Sequence, residues 1–226
     1  MNFINRPRTA ILIGATGLVG TALLDMLTGD ISFQRIILLT RRPINIVSAK
    51  VEVVETDFVN LNKLNSFFKE TDVVYCCIGT TIKKAGSNKA FRLVDYDIPV
   101  HIAKIASENN VRSYIVISSL GADPNSSNFY LKTKGEMEQA IIAYKFNKLA
   151  FVRPSLLLGH RKEFRFFERL MQIIVSLLSP FMVGPFKKYS PIHDSSVAKA
   201  MIQISNSASN QKVYESSELE WLGGGS

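Results

Sequence analysis

Short apolar runs alternate along this chain with longer stretches of helical periodicity, and that alternation leaves few folds open. The runs are AILIG from Ala10, RIILLT from Arg35, VEVVE from Val51 and DVVYCCIG from Asp72. They continue with SYIVISS from Ser113, LAFVR from Leu149 and KVYE from Lys212. Several are apolar without a polar alternate, as expected of strands covered on both faces. Between them lie LVGTALLDMLTG, NLNKLNSFFKE led by an asparagine cap, IPVHIAKIASENN with Pro99 in its first turn, and YLKTKGEMEQAIIAYK, in which Ile141 and Ile142 join the face of Met137 and Glu138. Asp194 or Ser195 is placed to cap SVAKAMIQIS. Strands that alternate with helices predict an α/β fold, a doubly wound parallel sheet with helices on both faces.

The chain has 226 residues, enough for one large domain, and no linker or repeat divides it. Residues 1–222 are read as that domain, with 159–191 as a small irregular C-terminal substrate or lid region and 223–226 as a linker or tag remnant. No apolar run reaches the ~20 residues of a membrane span. The run from Leu170 to Val183 is broken by Pro180. It is read as a lid, pocket wall or oligomer contact, with a peripheral membrane contact as the competing reading, since RKEFRFFERL before it is basic and aromatic. The N-terminus shows no basic-then-apolar signal segment. Cys76 and Cys77 are adjacent, so on a strand they point to opposite faces and do not bridge. Together these signs predict a soluble, cytoplasmic protein. The net charge of +8 is scattered in pairs rather than gathered in a tract, which argues against a nucleic-acid partner and for an anionic cofactor. His101 and His160 lack any metal-ligand spacing, and His193 is read as a loop or strand residue ahead of a helix.

GATGLVG sets Gly14, Gly17 and Gly20, with Ala15, Thr16, Leu18 and Val19 between them, directly after a strand and at the opening of a helix. A tight turn there brings backbone close to a pyrophosphate, and the helix N-terminus offers free N–H groups and the positive end of its dipole. The spacing is G-x-x-G-x-x-G rather than G-x-G-x-x-G. After the second strand stand Thr40, Arg41 and Arg42, where an NAD site would carry an acid for the ribose 2′-hydroxyl. Two guanidinium groups can instead grip a 2′-phosphate, so the expected cofactor is NADP(H). Asp57 and Phe58 follow the third strand, where they can flank an adenine. Ile78 and Gly79 end the fourth, near the cofactor's middle.

Tyr130 and Lys134 are four apart and share one face of a helix. An ammonium beside a phenol favours the phenolate, which makes the pair an acid/base couple for interconverting a carbonyl and an alcohol. That helix follows VISSL, which leaves Ser118 and Ser119 at a strand's carboxyl end, where α/β sites are built.

The segments GATGLVG, LLTRRP, CCIGTT, SSLGAD, YLKTKGEME and RPSLLLG occur in this order. From about Arg8 to Asn206 the chain resembles the atypical NAD(P)-binding branch of the short-chain dehydrogenase/reductase superfamily, and within it the Tat-interacting-protein type of oxidoreductase and its bacterial relatives. The resemblance implies a Rossmann-like fold, a glycine turn for the phosphates and Arg41 and Arg42 on the 2′-phosphate. It implies Tyr130 as general acid/base, and Lys134 as its partner on the nicotinamide ribose. By the same resemblance Leu157 lies near the carboxamide and Arg161 reaches cofactor or substrate. Many members place a catalytic Ser or Thr slightly beyond Ser119, a slot that falls here on Leu120; Ser119 is favoured over Ser118. The expected activity is NADP(H)-dependent hydride transfer to or from a small carbonyl or alcohol, by a monomer or homodimer. The alternatives are a non-catalytic NADP(H)-binding regulatory or interaction protein and, against the arginine pair and short C-terminal region, a nucleotide-sugar epimerase.

Overall fold

The computed structural model describes residues 7–59, 61–158 and 190–224. Its strands are β1 (Arg8–Ile13), β2 (Phe33–Thr40), β3 (Val51–Glu55), β4 (Val73–Cys76), β5 (Ser113–Ile117), β6 (Lys148–Arg153), β7 (Leu157–Leu158), β8 (Ile192–His193) and β9 (Val213–Glu215). Seven of them form one sheet in the order β3-β2-β1-β4-β5-β6-β9, and β7 pairs with β8 apart from it. Every pairing is parallel.

Alternate residues of each strand feed two cores. Ala10 and Leu12 of β1, with Val73 and Tyr75 of β4, face the layer of α1 (Leu18–Gly29), which packs on the helix Asp194–Asn206. Ile11, Ile13, Val74 and Cys76 face the opposite layer, with the short α2 (Asn65–Phe68) and the longer helices Ile98–Glu108 and Phe129–Ile142. Each fully buried aliphatic side chain contributes roughly 1.5–3 kcal/mol, and the central strands β1, β4 and β5 bury mostly apolar side chains. Hence their unbroken apolar runs. Helices therefore cover both faces, as the alternation of elements predicts.

Two short helices follow β4: α3 (Ile82–Ala85), capped by Thr81, and α4 (Asn88–Arg92), capped by Ser87. The third, α5 (Ile98–Glu108), does not begin afresh near Pro99 as its sequence suggests. Helical backbone runs unbroken from Asn88, and Leu93–Asp97 form a π-turn between α4 and α5. Ile98 donates its N–H to the Leu93 carbonyl five residues back. Pro99 has no N–H to offer the carbonyl four residues back, and a widened turn at that point is a known way to carry a helix past such a gap. Tyr114 donates its hydroxyl to the Pro99 carbonyl at 2.8 Å.

The helix α6 (Phe129–Ile142) is started by Asn128, whose side chain accepts from the N–H groups of Tyr130 and Leu131. It is fixed to β6 by a two-pronged pair, Arg153 Nε to Glu138 Oε1 at 2.9 Å and Nη2 to Oε2 at 2.6 Å. The Arg153 guanidinium is held above its usual range, chiefly by its hydrogen bonds to Glu138. Gly135 lets the preceding loop cross α6 closely, since a Cβ there would lie 2.2 Å from the Pro124 nitrogen. Ile142 falls outside the buried face, whereas Ile141 and Met137 lie within it.

The remaining helices are α7 (Asp194–Asn206) and α8 (Ser216–Leu222). His193, exposed, stands at the N-cap of α7 without a side-chain cap, so neither Asp194 nor Ser195 takes that position. Segment 61–64 is a 3-10 turn leading into α2, and its expected cap at residue 60 lies outside the described residues. Gly223 and Gly224 close α8, donating to the Leu219 and Trp221 carbonyls. Of the expected lid region, only Ser190 and Pro191 are among the described residues, and the run from Leu170 to Val183 lies outside them. Among the described residues no helix is long and apolar enough to cross a membrane.

Candidate active site at the carboxyl edge of the sheet

The strand order reverses between β1 and β4, and a crevice opens outside their carboxyl ends, where ligands of open α/β sheets bind. One wall is the glycine turn. Gly14 has φ +85°, and a Cβ on it would lie 2.6 Å from the Cys77 carbonyl carbon and oxygen. A Cβ on Gly20 would stand 2.1 Å from the Gly14 oxygen. These two glycines let α1 press against β1 and β4. Gly17 donates to Gly14 O at 2.9 Å and caps α1 with extended backbone. Gly17, Leu18 and Val19 line the crevice, and Leu18 and Val19 stand in the first turn of α1, whose N–H groups have no partner within the helix. Ala15 is buried behind the turn and Thr16 is exposed.

The crevice holds about 750 Å³, within the range of sites that enclose a small molecule. Its floor is the segment after β4, Cys77 to Thr81, which brings in Ile78 and Gly79. Ser118 and Ser119 enter from β5, Tyr130 and Lys134 from α6, and Leu157 from β7. The two serines differ. Ser119 Oγ donates to Leu120 O at 3.3 Å, whereas Ser118 Oγ is buried with no hydrogen-bond partner among the described residues. A buried hydroxyl left without a partner on a cavity wall is suited to a ligand.

Lys134 is 3% exposed, with Nζ 2.8 Å from Asp95 Oδ1 and 3.4 Å from the Ile117 carbonyl. Burial pushes its ammonium down and the carboxylate of Asp95 and the phenol of Tyr130 push it up, with a net upward result. The Tyr130 ring is half-buried and tilts against Phe91, 5.6 Å between centroids. Burial raises the Cys76 thiol to about 11 and also raises that of Cys77. Both cysteines are free, with Cys76 in one core and Cys77 packed against the other.

Not every expected residue meets at this crevice. Arg41 and Arg42 lie exposed after β2, where Thr40 Oγ1 accepts from the Arg42 N–H and donates to its carbonyl. That strand neighbours β1, so both arginines stand at the same sheet edge beyond the lining residues. Asp57 is exposed and accepts from the Val59 N–H, while the Phe58 ring is buried in a core with its backbone at φ +59°. Arg161 lies outside the described residues.

Asp95, which no sequence motif singles out, is 1% exposed and also lines the crevice. Its only trace is VDYDIP, an acid four residues before a proline in a helical stretch. Lys83 and Lys84, read as scattered surface charge, also line the crevice.

A glycine cradle that a Cβ would fill, a helix N-terminus and an orphaned serine hydroxyl together fit a dinucleotide. Comparison with known proteins agrees. Residues 14–166 match the model of a family described as NAD(P)H-binding. The chain is 37% identical over 195 residues to the mitochondrial protein FMP52 of Meyerozyma guilliermondii, covering 85% of this chain and 83% of that one. It is 34% identical over 167 residues to HTATIP2 of Rattus norvegicus, covering 73% and 69%. The fold is also that of MoeE5 in complex with UDP-glucuronic acid and NAD, with a TM-score of 0.70 and 17% identity over 96% of this chain and 82% of that chain. The expectation of a cytoplasmic protein is overturned by relatives named as mitochondrial that match most of the chain. A pair of free thiols does not separate those two compartments. On the span of the family match, the chain belongs to the NAD(P)H-binding family.

Proposed function

We propose that this chain is an NADP(H)-dependent oxidoreductase acting on a small carbonyl or alcohol, with Tyr130 as its general acid/base. The observation that carries the reading is the single crevice that joins the α1 N-terminus to Ser118, Tyr130 and Lys134. The dinucleotide, when bound, supplies or accepts hydride at its nicotinamide. In the reducing direction Tyr130 gives its phenolic proton to the substrate oxygen as hydride reaches the carbonyl carbon, and solvent returns a proton to the phenolate. A serine hydroxyl donates to the same oxygen and orients it. Ser118, unpartnered, is better placed than Ser119, and Lys134 is the group to hold the nicotinamide ribose.

Preference for NADP(H) rests on the turn after β2, where Arg41 and Arg42 stand without an acid between them and the strand. Hydrogen bonds to charged groups are worth about 1.5–3 kcal/mol each and less between solvent-exposed groups such as Arg41 and Arg42, so Arg41→Ala with Arg42→Ala is expected to weaken NADPH binding roughly 10- to 100-fold. NADH binding should change little. Calorimetry with both cofactors checks this, and equal losses for the two would remove the assigned role.

A second reading is favoured by the ion pair at 2.8 Å, since Asp95 already balances the charge of Lys134. On that reading the chain binds NADP(H) without catalysis and acts through partners. Tight NADPH binding with no turnover across a broad carbonyl panel would select it.

A further inference from the structure

Two charged groups in this fold are almost wholly withdrawn from water and face each other on the crevice wall: Lys134 at 3% and Asp95 at 1% exposure. A buried ammonium without a counter-ion is displaced or loses its proton. A buried ion pair rarely adds stability over an apolar pair of similar size. Such a pair on the wall of a cleft is instead a mark of a functional site.

We propose that Asp95 is a positioning residue, the counter-ion that fixes Lys134 in the crevice, so that Asp95, Lys134 and Tyr130 act as one unit. The proposal rests on the NADP(H) reading for its purpose. Three elements converge to make it. The π-turn ahead of Pro99 carries Asp95 inward. Its Oδ1 lies 2.8 Å from Lys134 Nζ, and its Oδ2 accepts the Thr80 N–H at 2.9 Å, which ties the carboxylate to the segment after β4. Gly79 makes room, because a Cβ there would stand 3.3 Å from Oδ1 and 4.0 Å from Nζ. The Ile117 carbonyl from β5 completes the seat.

The groups that face Lys134 are Asp95 from the π-turn, Tyr130 one turn earlier on α6 and the Cys76 thiol of β4, with Cys77, Lys83 and Lys84 on the same crevice. Lys134 is raised in the folded protein, so its contribution to stability is complete below the ordinary lysine range and is lost only as pH rises through the raised value. Asp95→Asn removes the main raising influence and leaves burial, which lowers an ammonium. Lys134 then titrates below its unfolded value, and the variant gains stability relative to the parent as pH climbs from 7 toward ~10.

The test uses cofactor-free protein in a Tyr130→Phe background, so that the phenol adds no titration of its own. Asp95→Asn is expected to lower Tm on the order of 10 °C at neutral pH, and roughly half of that gap should close by pH ~10. Adding Lys134→Met removes the unpaired charge, so the combined variant should be more stable at neutral pH than Asp95→Asn and should lose the pH dependence of the gap. This comparison holds even if Asp95→Asn folds poorly. A gap that is the same at both pH values and survives Lys134→Met overturns the proposal. In parallel, calorimetry with NADPH should show about tenfold weaker binding for Asp95→Asn at neutral pH. Failure of the parent itself to bind NADPH would instead remove the dinucleotide reading and leave the pH-dependent gap standing.

Discussion

Tyr130→Phe is expected to lower turnover of a carbonyl substrate by about 10²- to 10⁴-fold, the usual contribution of a positioned proton donor. Binding of NADPH should stay within about threefold. The substitution removes one oxygen and little else. The ring keeps its tilted contact with Phe91. The Asn128 cap engages the backbone N–H of residue 130 and not its side chain. Melting temperature should therefore hold, and a loss of rate without a loss of fold or binding isolates the proton. Steady-state kinetics on a substrate found by screening, alongside calorimetry, decide the matter. Undiminished turnover would show that Tyr130 does no acid/base work.

The second large effect separates the three glycines of the phosphate turn. Gly14→Ala forces an alanine to φ +85° and drives its Cβ to 2.6 Å from the Cys77 backbone. Left-handed strain of about 1–2 kcal/mol and overpacking of about 1–3 kcal/mol add to a Tm loss on the order of 10 °C. Gly20→Ala brings a Cβ to 2.1 Å from the Gly14 oxygen and should cost a similar amount. Gly17→Ala meets the Gly14 oxygen at 3.3 Å and the Cys77 oxygen at 3.8 Å, with normal backbone, so Tm should move by no more than ~3 °C. All three should weaken NADPH binding at least tenfold. Thermal melts followed by calorimetry test the contrast, and a Gly17→Ala protein that binds NADPH normally would take the crevice away from the phosphates.

Local rules decide how much of this fold its sequence discloses. Strands buried on both faces advertise themselves as unbroken apolar runs, and LVGTALLDMLTG coincides with α1, with Gly17 as its N-cap and Gly29 as its last residue. The crevice residues of the glycine turn, the pair Ser118 and Ser119, Tyr130 and Lys134 were legible because each sits at a fixed offset from a strand or helix end. Asp95 was not, since its role depends on a π-turn that joins two helical stretches across Pro99, and no local period signals one. Choosing between Ser118 and Ser119 likewise needed the packing around each hydroxyl. Phe58 is a different case: adjacency to a strand end suggests a ring that can flank an adenine, and the structure buries that ring in a core. The compartment was never written in the strand pattern at all.

Cys76 stands at the middle of the seven-stranded sheet, wholly buried, with its thiol held to about 11 by that burial. Only a thiolate reacts readily with alkylating reagents, so the helical layer packed on this face of β4 must open before this sulfur can be labelled. In a Cys77→Ser protein the labelling rate at Cys76 becomes a clock for the opening of that core. A bound dinucleotide, which would bridge the ends of β1 and β4, should slow that clock in proportion to the fraction of sites filled.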